Sequence, residues 1–273
     1  MRFDDQTVVI TGAASGIGRA TAHAFAARGA TLALCDVNQV ALDDLGRELG
    51  ARVAIAEVVD VGDRVAMERF AALVHDRVPA ADVVVNNAGI GQHGGVLDTP
   101  LDDWDRVLRV NLMGVVHGCH FFTPMMAARG RGHVVNVSSM LGLYATPAAI
   151  AYVASKFAVL GLTLSMRGEL AATGVRVTAI CPGMIATNIV DQTRFAPGLE
   201  GLQAKVAQTF RRKGTAPAAV AAAIVDVIGD DVAVRPVTAE AWVAWGLTRF
   251  APRAVSDGLG RLAVRAQERV SRR

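Results

Sequence analysis

The segment Thr7-Val8-Val9-Ile10-Thr11-Gly12-Ala13-Ala14-Ser15-Gly16-Ile17-Gly18 runs from a β-branched apolar stretch, through a glycine-rich turn, into residues of helical period. An apolar run of this kind reads as a strand covered on both faces. With Gly12, Gly16 and Gly18 set around Ser15 and Ile17, the turn carries little side-chain bulk. Backbone amides and a helix N-terminus can therefore come close to a pyrophosphate. The spacing differs from the general G-x-G-x-x-G pattern, and taken alone the turn reads equally as an ordinary strand-to-helix connection.

Working outward, short β-branched runs alternate with longer helical segments. Strands are expected at Thr7 to Ile10, Thr31 to Cys35, Val53 to Val59, Val83 to Val85, His133 to Val137 and Val175 to Ile180. Helices are expected near Gly18 to Arg28, Gln39 to Leu49, Arg64 to Arg77, Leu101 to Ala128 and Tyr152 to Ala172. This alternation implies a doubly wound parallel α/β sheet with helices on both faces. With no repeat or linker in it, the pattern makes one domain over residues 1–240, followed by an extension over 241–273. Within the domain, residues 188–213 carry Phe195, Leu199, Leu202, Val206 and Phe210 at spacings that suit one or two short helices. Ligands of open α/β sheets bind beyond the carboxyl ends of the strands, so this segment is the expected substrate lid.

The second expected strand ends at Cys35-Asp36, where a carboxylate can accept hydrogen bonds from ribose hydroxyls. The same carboxylate would repel the 2′-phosphate of NADP. Neither Ser15 nor Val37 offers a counter-charge, and Arg19 reads as a solvated helix residue. If the turn holds a dinucleotide, the cofactor is NAD.

The composition of 273 residues, 52% hydrophobic and 5% aromatic, provides for one large core of closely packed helices on a sheet. Of the net charge of +3, the final 33 residues hold seven arginines against Asp257 and Glu268, so the rest of the chain is near −2. That excludes a uniformly basic nucleic-acid surface. Cys35, Cys119 and Cys181 form no C-x-x-C pair and read as reduced, buried thiols. Met1-Arg2-Phe3-Asp4-Asp5 leads straight into a strand, and no uncharged apolar run nears the ~20 residues of a membrane span, so a cytoplasmic protein is expected.

Four motifs together make a specific resemblance: Thr11 to Gly18, Asn86-Asn87-Ala88-Gly89, Ser139, and Tyr152-Val153-Ala154-Ser155-Lys156. Over roughly residues 5–240 the chain resembles the short-chain dehydrogenase/reductase family, which implies a Rossmann fold and NAD-dependent interconversion of an alcohol and a carbonyl. Tyr152 and Lys156 lie four apart, on one face of a helix. The resemblance makes Tyr152 the acid/base, aided by a neighbouring ammonium. Ser138 and Ser139 both follow an apolar strand, and the family's spacing selects Ser139 to hold the substrate oxygen. Asn111 matches the fourth catalytic residue on resemblance alone. The resemblance also implies that Asp60 and Val61 bind adenine, that Asn87, Ala88 and Gly89 flank adenosine, and that Pro182, Gly183, Ile185 and Thr187 meet the nicotinamide. Tyr152 and Lys156 also contact the cofactor.

The remaining polar residues read more plainly. His93 reads as a solvated loop residue, and His117 and His120 have no companions at metal spacing, so no metal is expected. Cys181 reads as a small buried apolar group rather than a redox centre. Arg211-Arg212-Lys213 reads as a solvated basic turn. Two readings compete with a short-chain dehydrogenase: a sugar-nucleotide epimerase, whose glycine spacing and larger substrate domain are missing here, and a non-catalytic NAD-binding sensor or scaffold. The apolar lid favours a lipophilic secondary alcohol or ketone.

In the family, the two long helices pair with a second subunit as a four-helix bundle, which implies a homodimer or homotetramer. Ala154, Ala158, Gly161 and Gly168 suit that close approach, or else face their own sheet. In the extension, Trp242, Val243, Trp245, Leu247 and Phe250 precede Pro252, and Leu259, Leu262 and Val264 follow it. Two short amphipathic helices are expected there, either packed on the protein or in peripheral contact with an anionic membrane.

Overall fold

The computed structural model describes residues 1–78, 80–250 and 258. The strands are β1 (Thr7–Thr11), β2 (Thr31–Asp36), β3 (Val53–Val58), β4 (Val83–Asn86), β5 (Gln92–His93), β6 (Gly132–Val137), β7 (Val175–Cys181), β8 (Arg194–Phe195) and β9 (Val234–Pro236). The helices are α1 (Gly16–Ala26), α2 (Gln39–Leu49), α3 (Arg64–His75), α4 (Leu101–Leu108), α5 (Gly114–Arg129), α6 (Ile150–Glu169), α7 (Gln203–Lys213), α8 (Pro217–Asp226) and α9 (Ala239–Phe250). The main sheet has the order β3-β2-β1-β4-β6-β7-β9, and every pairing in it is parallel. The winding reverses between β1 and β4, which opens a crevice beyond their carboxyl ends.

Alternation along the strands divides the core. Val8, Ile10, Leu32, Leu34, Val83 and Val85 pack on one face with Phe25, Leu42 and Ile224 from α1, α2 and α8. Val9, Ala33 and Val84 pack on the other with Phe70, Phe122 and Val159 from α3, α5 and α6. Side chains on a strand point to opposite faces with period two, so the central strands β1, β2 and β4 feed both layers. Local signals set the helix ends. The Asn38 side chain accepts the Ala41 amide at the start of α2, Asp63 accepts Val65 and Ala66 at the start of α3, and Gly130 ends α5 at φ 76°.

The structure departs from the sequence expectations in several places. The helix expected over Leu101 to Ala128 is broken by a π-helical turn, Arg109–Met113, between α4 and α5. Its one-residue excess turns Asn111 inward. Strand β9, a three-residue edge ending in Pro236, was not expected, nor was α8, whose alanines give no polar stripe. The lid region forms β8 and α7, and β8 pairs in parallel with β5. That pairing corrects the reading of His93: it lies in β5 with its ring 4.9 Å from that of Phe195, and burial lowers its pKa. Arg211, Arg212 and Lys213 occupy the last turn of α7, where cations suit the helix dipole.

Helix α6 is 20 residues long and, by length and composition, apolar enough to cross a membrane, although it carries Lys156, Arg167 and Glu169. It is a core helix carrying Lys156, with Val159 and Met166 buried against the sheet. Its Ala154, Gly161 and Gly168 are exposed, as are Phe157 and Leu164. The small residues therefore turn away from their own sheet.

Helix α9 begins before residue 241 and is built into the domain. Ala241 and Ala244 are buried, and Trp245 packs on Leu143, Ala179 and Cys181. Trp242, Val243, Leu247 and Phe250 remain exposed. The second helix expected after Pro252 lies outside the described residues.

Candidate active site

A cleft of about 420 Å³ lies at the carboxyl ends of the strands, a size usual for small-molecule sites. Its floor is the β1–α1 turn, where Gly12 has φ 62° and Gly16 φ 50°, a region glycine enters without strain. A Cβ on Gly12 would stand 2.7 Å from Ala88 Cα, and one on Gly16 would stand 3.0 Å from Thr187 Cγ2. Gly18 does not line the cleft; a Cβ there would sit 2.0 Å from the Gly12 carbonyl oxygen. Its role is to let the turn close.

Asn87 secures this turn. Its Nδ2 donates to the Thr11 and Gly12 carbonyls at 3.0 Å, and its own amide donates to Thr11 Oγ1 at 3.0 Å. Ser15 caps α1 through its backbone only, which leaves its hydroxyl on the cleft wall beside Ile17. The Asp36 carboxylate accepts the Ala14 amide and the Asn38 amide, each at 2.9 Å. Arg19 is tied to Glu48 and does not line the cleft.

Asp60, Val61, Ala88 and Gly89 continue the wall across the sheet. Asp60 is held by Arg109, a residue the sequence reading did not single out. Pro182, Gly183, Ile185 and Thr187 close the opposite end. Gly183 has no room for a side chain, because Glu240 of α9 sits against it and accepts the Met184 amide at 3.1 Å. From the lid, Asn188, Ile189, Gln192 and Phe210 reach the cleft; of these, only Phe210 carried a signal in the sequence.

The side chains expected to carry the acid/base chemistry gather where β6 ends. Ser138 and Ser139 are separated by their bonds. The Ser138 hydroxyl donates to the Lys156 carbonyl at 2.9 Å, whereas Ser139 Oγ accepts the Leu141 amide at 3.1 Å and lines the cleft together with Tyr152. Burial raises the phenol pKa, and the Ser139 hydroxyl draws it back. Lys156 Nζ lies 5.6 Å from the Tyr152 ring centre and donates to the Val137 carbonyl at 2.9 Å. Burial pushes the Lys156 ammonium down to about 8, so it loses its charge as pH rises through that value.

Asn111 lies behind the cleft wall, fully buried in the π-turn. Its Oδ1 accepts the Ile90 amide at 2.8 Å, and its Nδ2 donates to Ser155 Oγ at 3.2 Å. A Cβ on Gly89 would be 3.4 Å from Asn111 Oδ1 and 3.5 Å from Lys156 Nζ, so the amide and the ammonium approach the same point. Burial pushes the Cys181 thiol, beside this group, up to about 12, which leaves it protonated at neutral pH.

Residues 6–197 match the family model described as short chain dehydrogenase. Over 262 residues the chain is 44% identical to the probable oxidoreductase EphD of Mycobacterium tuberculosis, covering 93% of this chain and 44% of that protein. The chain thus spans less than half the length of this relative. It is 39% identical over 191 residues to the meso-2,3-butanediol dehydrogenase of Serratia marcescens, covering 70% of this chain and 76% of that one. Among solved structures, a short-chain dehydrogenase/reductase from Burkholderia phymatum in complex with NAD matches with a TM-score of 0.85 at 28% identity, over 91% of this chain and 94% of that one.

Proposed function

The chain belongs to the short-chain dehydrogenase family, and we propose that it is an NAD-dependent oxidoreductase that interconverts a secondary alcohol and a ketone. The observation carrying this reading is that Ser139, Tyr152 and buried Lys156, one helical turn from Tyr152, line one cleft floored by the glycine turn. The cleft fits the dinucleotide: its glycines lack room for side chains where a pyrophosphate would lie, and the Asp36 carboxylate stands at the ribose end.

Gly12, Gly16, Asp36, Gly183 and Thr187 would hold the dinucleotide, whose oxidised nicotinamide would supply the acceptor for the hydride of the carbinol carbon. Ser139 holds the substrate oxygen, and Tyr152 takes the hydroxyl proton as the C=O bond forms; in the reverse direction Tyr152 returns that proton. Lys156 supplies positive charge near the phenol, and Asn111 holds the segment behind it through Ile90 and Ser155. Ile90, Ile189 and Phe210 make the substrate end apolar, which favours a lipophilic substrate.

The test pairs calorimetric titration of NAD with reduction of NAD across a panel of secondary alcohols. Turnover with apolar members supports the proposal. Tight NAD binding with no turnover on any alcohol, or on any ketone with NADH, would instead support a sensor or scaffold.

Assembly follows from the outward face of α6. Phe157 and Leu164 are exposed beside Gly161, whose Cβ would meet nothing in its own chain. Sedimentation at micromolar concentration is expected to give at least a homodimer. Gly161→Glu should shift it toward monomer while the helical signal persists; a parent chain that sediments only as monomer would refute this interface.

A further inference from the structure

His133 of β6 is 3% exposed, and its ring joins the sheet to the chain that runs from α8 to β9. Nε2 lies 2.9 Å from Thr178 Oγ1 of β7, and the Gly229 amide donates to Nδ1 at 3.3 Å. The Thr178 hydroxyl spends its one hydrogen on the Val232 carbonyl, at 2.7 Å. Nε2 must therefore donate to Thr178, and Nδ1 can only accept from Gly229. These partners call for one form of the ring, neutral with its hydrogen on Nε2. A proton added at Nδ1 would set two N–H donors against each other and break the bond to Gly229.

What the ring holds is the entry to one edge of the sheet. Past Gly229, the Ala233 carbonyl accepts the Ala179 amide at 3.0 Å, and β9 follows with three residues and β7 as its partner. Helix α9 comes directly after, packed through Trp245 and reaching Met184 through Glu240. A short edge strand has few hydrogen bonds of its own, so those at its entry weigh heavily in whether it opens. Burial, then Arg176 of β7 and Arg167 of α6, lower the His133 pKa to about 4 against the opposing pull of Asp231. Arg167 is itself paired with Asp231, and Asp82, ahead of β4, is paired with Arg129. Asp226 of α8 and the adjoining Asp230 are exposed, and Met1 Cε stands 3.4 Å from the point where a Cβ on Gly229 would lie.

We propose that His133 is a pH-sensitive latch: its neutral ring holds the β9–α9 edge to the sheet, and protonation frees that edge to open. The latch stands apart from the cleft and does not depend on the cofactor reading. In the open form the ring is solvated and titrates near its ordinary 6.5, whereas the latched ring titrates at about 4. Opening therefore takes up a proton between those values. The hold is complete above about 6.5 and weakens as pH falls toward 4, by about 300-fold in all, tenfold for each unit. Release also withdraws Glu240 from the Met184 amide, so its effect reaches the Pro182 to Thr187 end of the cleft.

Amide hydrogen exchange of the full chain, corrected for the intrinsic pH dependence of exchange, reads the opening directly. The Ala179 and Val237 amides, bonded to the Ala233 and Cys181 carbonyls across the β7–β9 edge, should open about 20-fold more often at pH 5 than at pH 7. At both pH values they should open far more often than the amides joining β1 to β2. His133→Gln, whose amide donates and accepts but takes no proton, should show no such rise, whatever its stability at pH 7. Should that variant not fold, ring-nitrogen NMR of the parent tests the latch alone: His133 should be neutral at pH 5.5 with its hydrogen on Nε2. A ring that is charged at that pH, or that carries its hydrogen on Nδ1, overturns the proposal. So does an equal rise in His133→Gln. Edge amides that open only as often as those of β1 and β2 would assign the effect to unfolding of the whole domain and overturn the latch as well.

Discussion

Replacing Tyr152 with phenylalanine is expected to lower turnover by about 10² to 10⁴-fold, the usual contribution of a positioned acid/base, with NAD affinity unchanged. The substitution keeps the ring and its packing and removes only the phenolic hydroxyl. No neighbour is placed to replace it. The Ser139 hydroxyl is a far weaker acid and already accepts the Leu141 amide, and Lys156 Nζ donates to the Val137 carbonyl. Because the loss falls on an interaction made in the transition state, kcat and kcat/KM should fall together while KM changes little. Single-turnover reduction of a ketone with NADH, set beside an NADH titration, separates the two quantities. Activity retained within about tenfold of the parent would assign the proton transfer to another group.

The half of the cleft proposed as catalytic was more legible in the sequence than the lid half, for a physical reason. Tyr152 and Lys156 share a continuous helix, so their separation alone puts them on one face. Ser139 follows a strand that is buried throughout, which fixes where the chain leaves the sheet. Choosing between Ser138 and Ser139 from the residues needed the side-chain bonds, since adjacent residues past a strand end can turn either way. The Ser138 bond to the Lys156 carbonyl turns its hydroxyl back toward α6.

Tertiary context accounts for the other omissions. Strand β9 is three residues long, with a proline that an edge tolerates and a central strand does not. Helix α8 is buried against α1, so its alanines show no polar stripe to give a period. The π-turn has no sequence mark beyond an asparagine in mid-helix, and His93 reads as a loop residue until β8 pairs beside it. The apolar residues of α9 left two placements open, on the protein or on a membrane, because composition gives no partner for an apolar face; in the structure Ala241, Ala244 and Trp245 pack on the core and Glu240 braces the Met184 amide.

The largest expected change in binding is at Asp36. In the parent, NADP should bind at least about 100-fold more weakly than NAD, because bringing a phosphate against a carboxylate costs several kcal/mol and each 1.4 kcal/mol is tenfold. Two structural features sharpen this. The carboxylate is anchored by the Ala14 and Asn38 amides at 2.9 Å, so it cannot swing aside to admit a phosphate. The arginine nearest in sequence to the glycine turn, Arg19, is paired with Glu48, and using it as a counter-charge would first require breaking that pair. Asp36→Ala removes the repulsion of a 2′-phosphate, the acceptor for the ribose hydroxyls and the anchor of the Ala14 amide, so its effects oppose each other for NADP, whereas for NAD only the two losses remain and they add. NAD affinity should fall, NADP affinity should rise or hold, and the ratio between them should close toward unity. Asp36→Asn gives the control: it keeps an acceptor for the Ala14 amide and removes the charge, so it should narrow the ratio with a smaller loss of NAD affinity. Titrating both cofactors against the three proteins reads each effect separately. Equal affinity of the parent for NAD and NADP would remove Asp36 from cofactor selection, and the ribose end of the cleft would then need a different explanation.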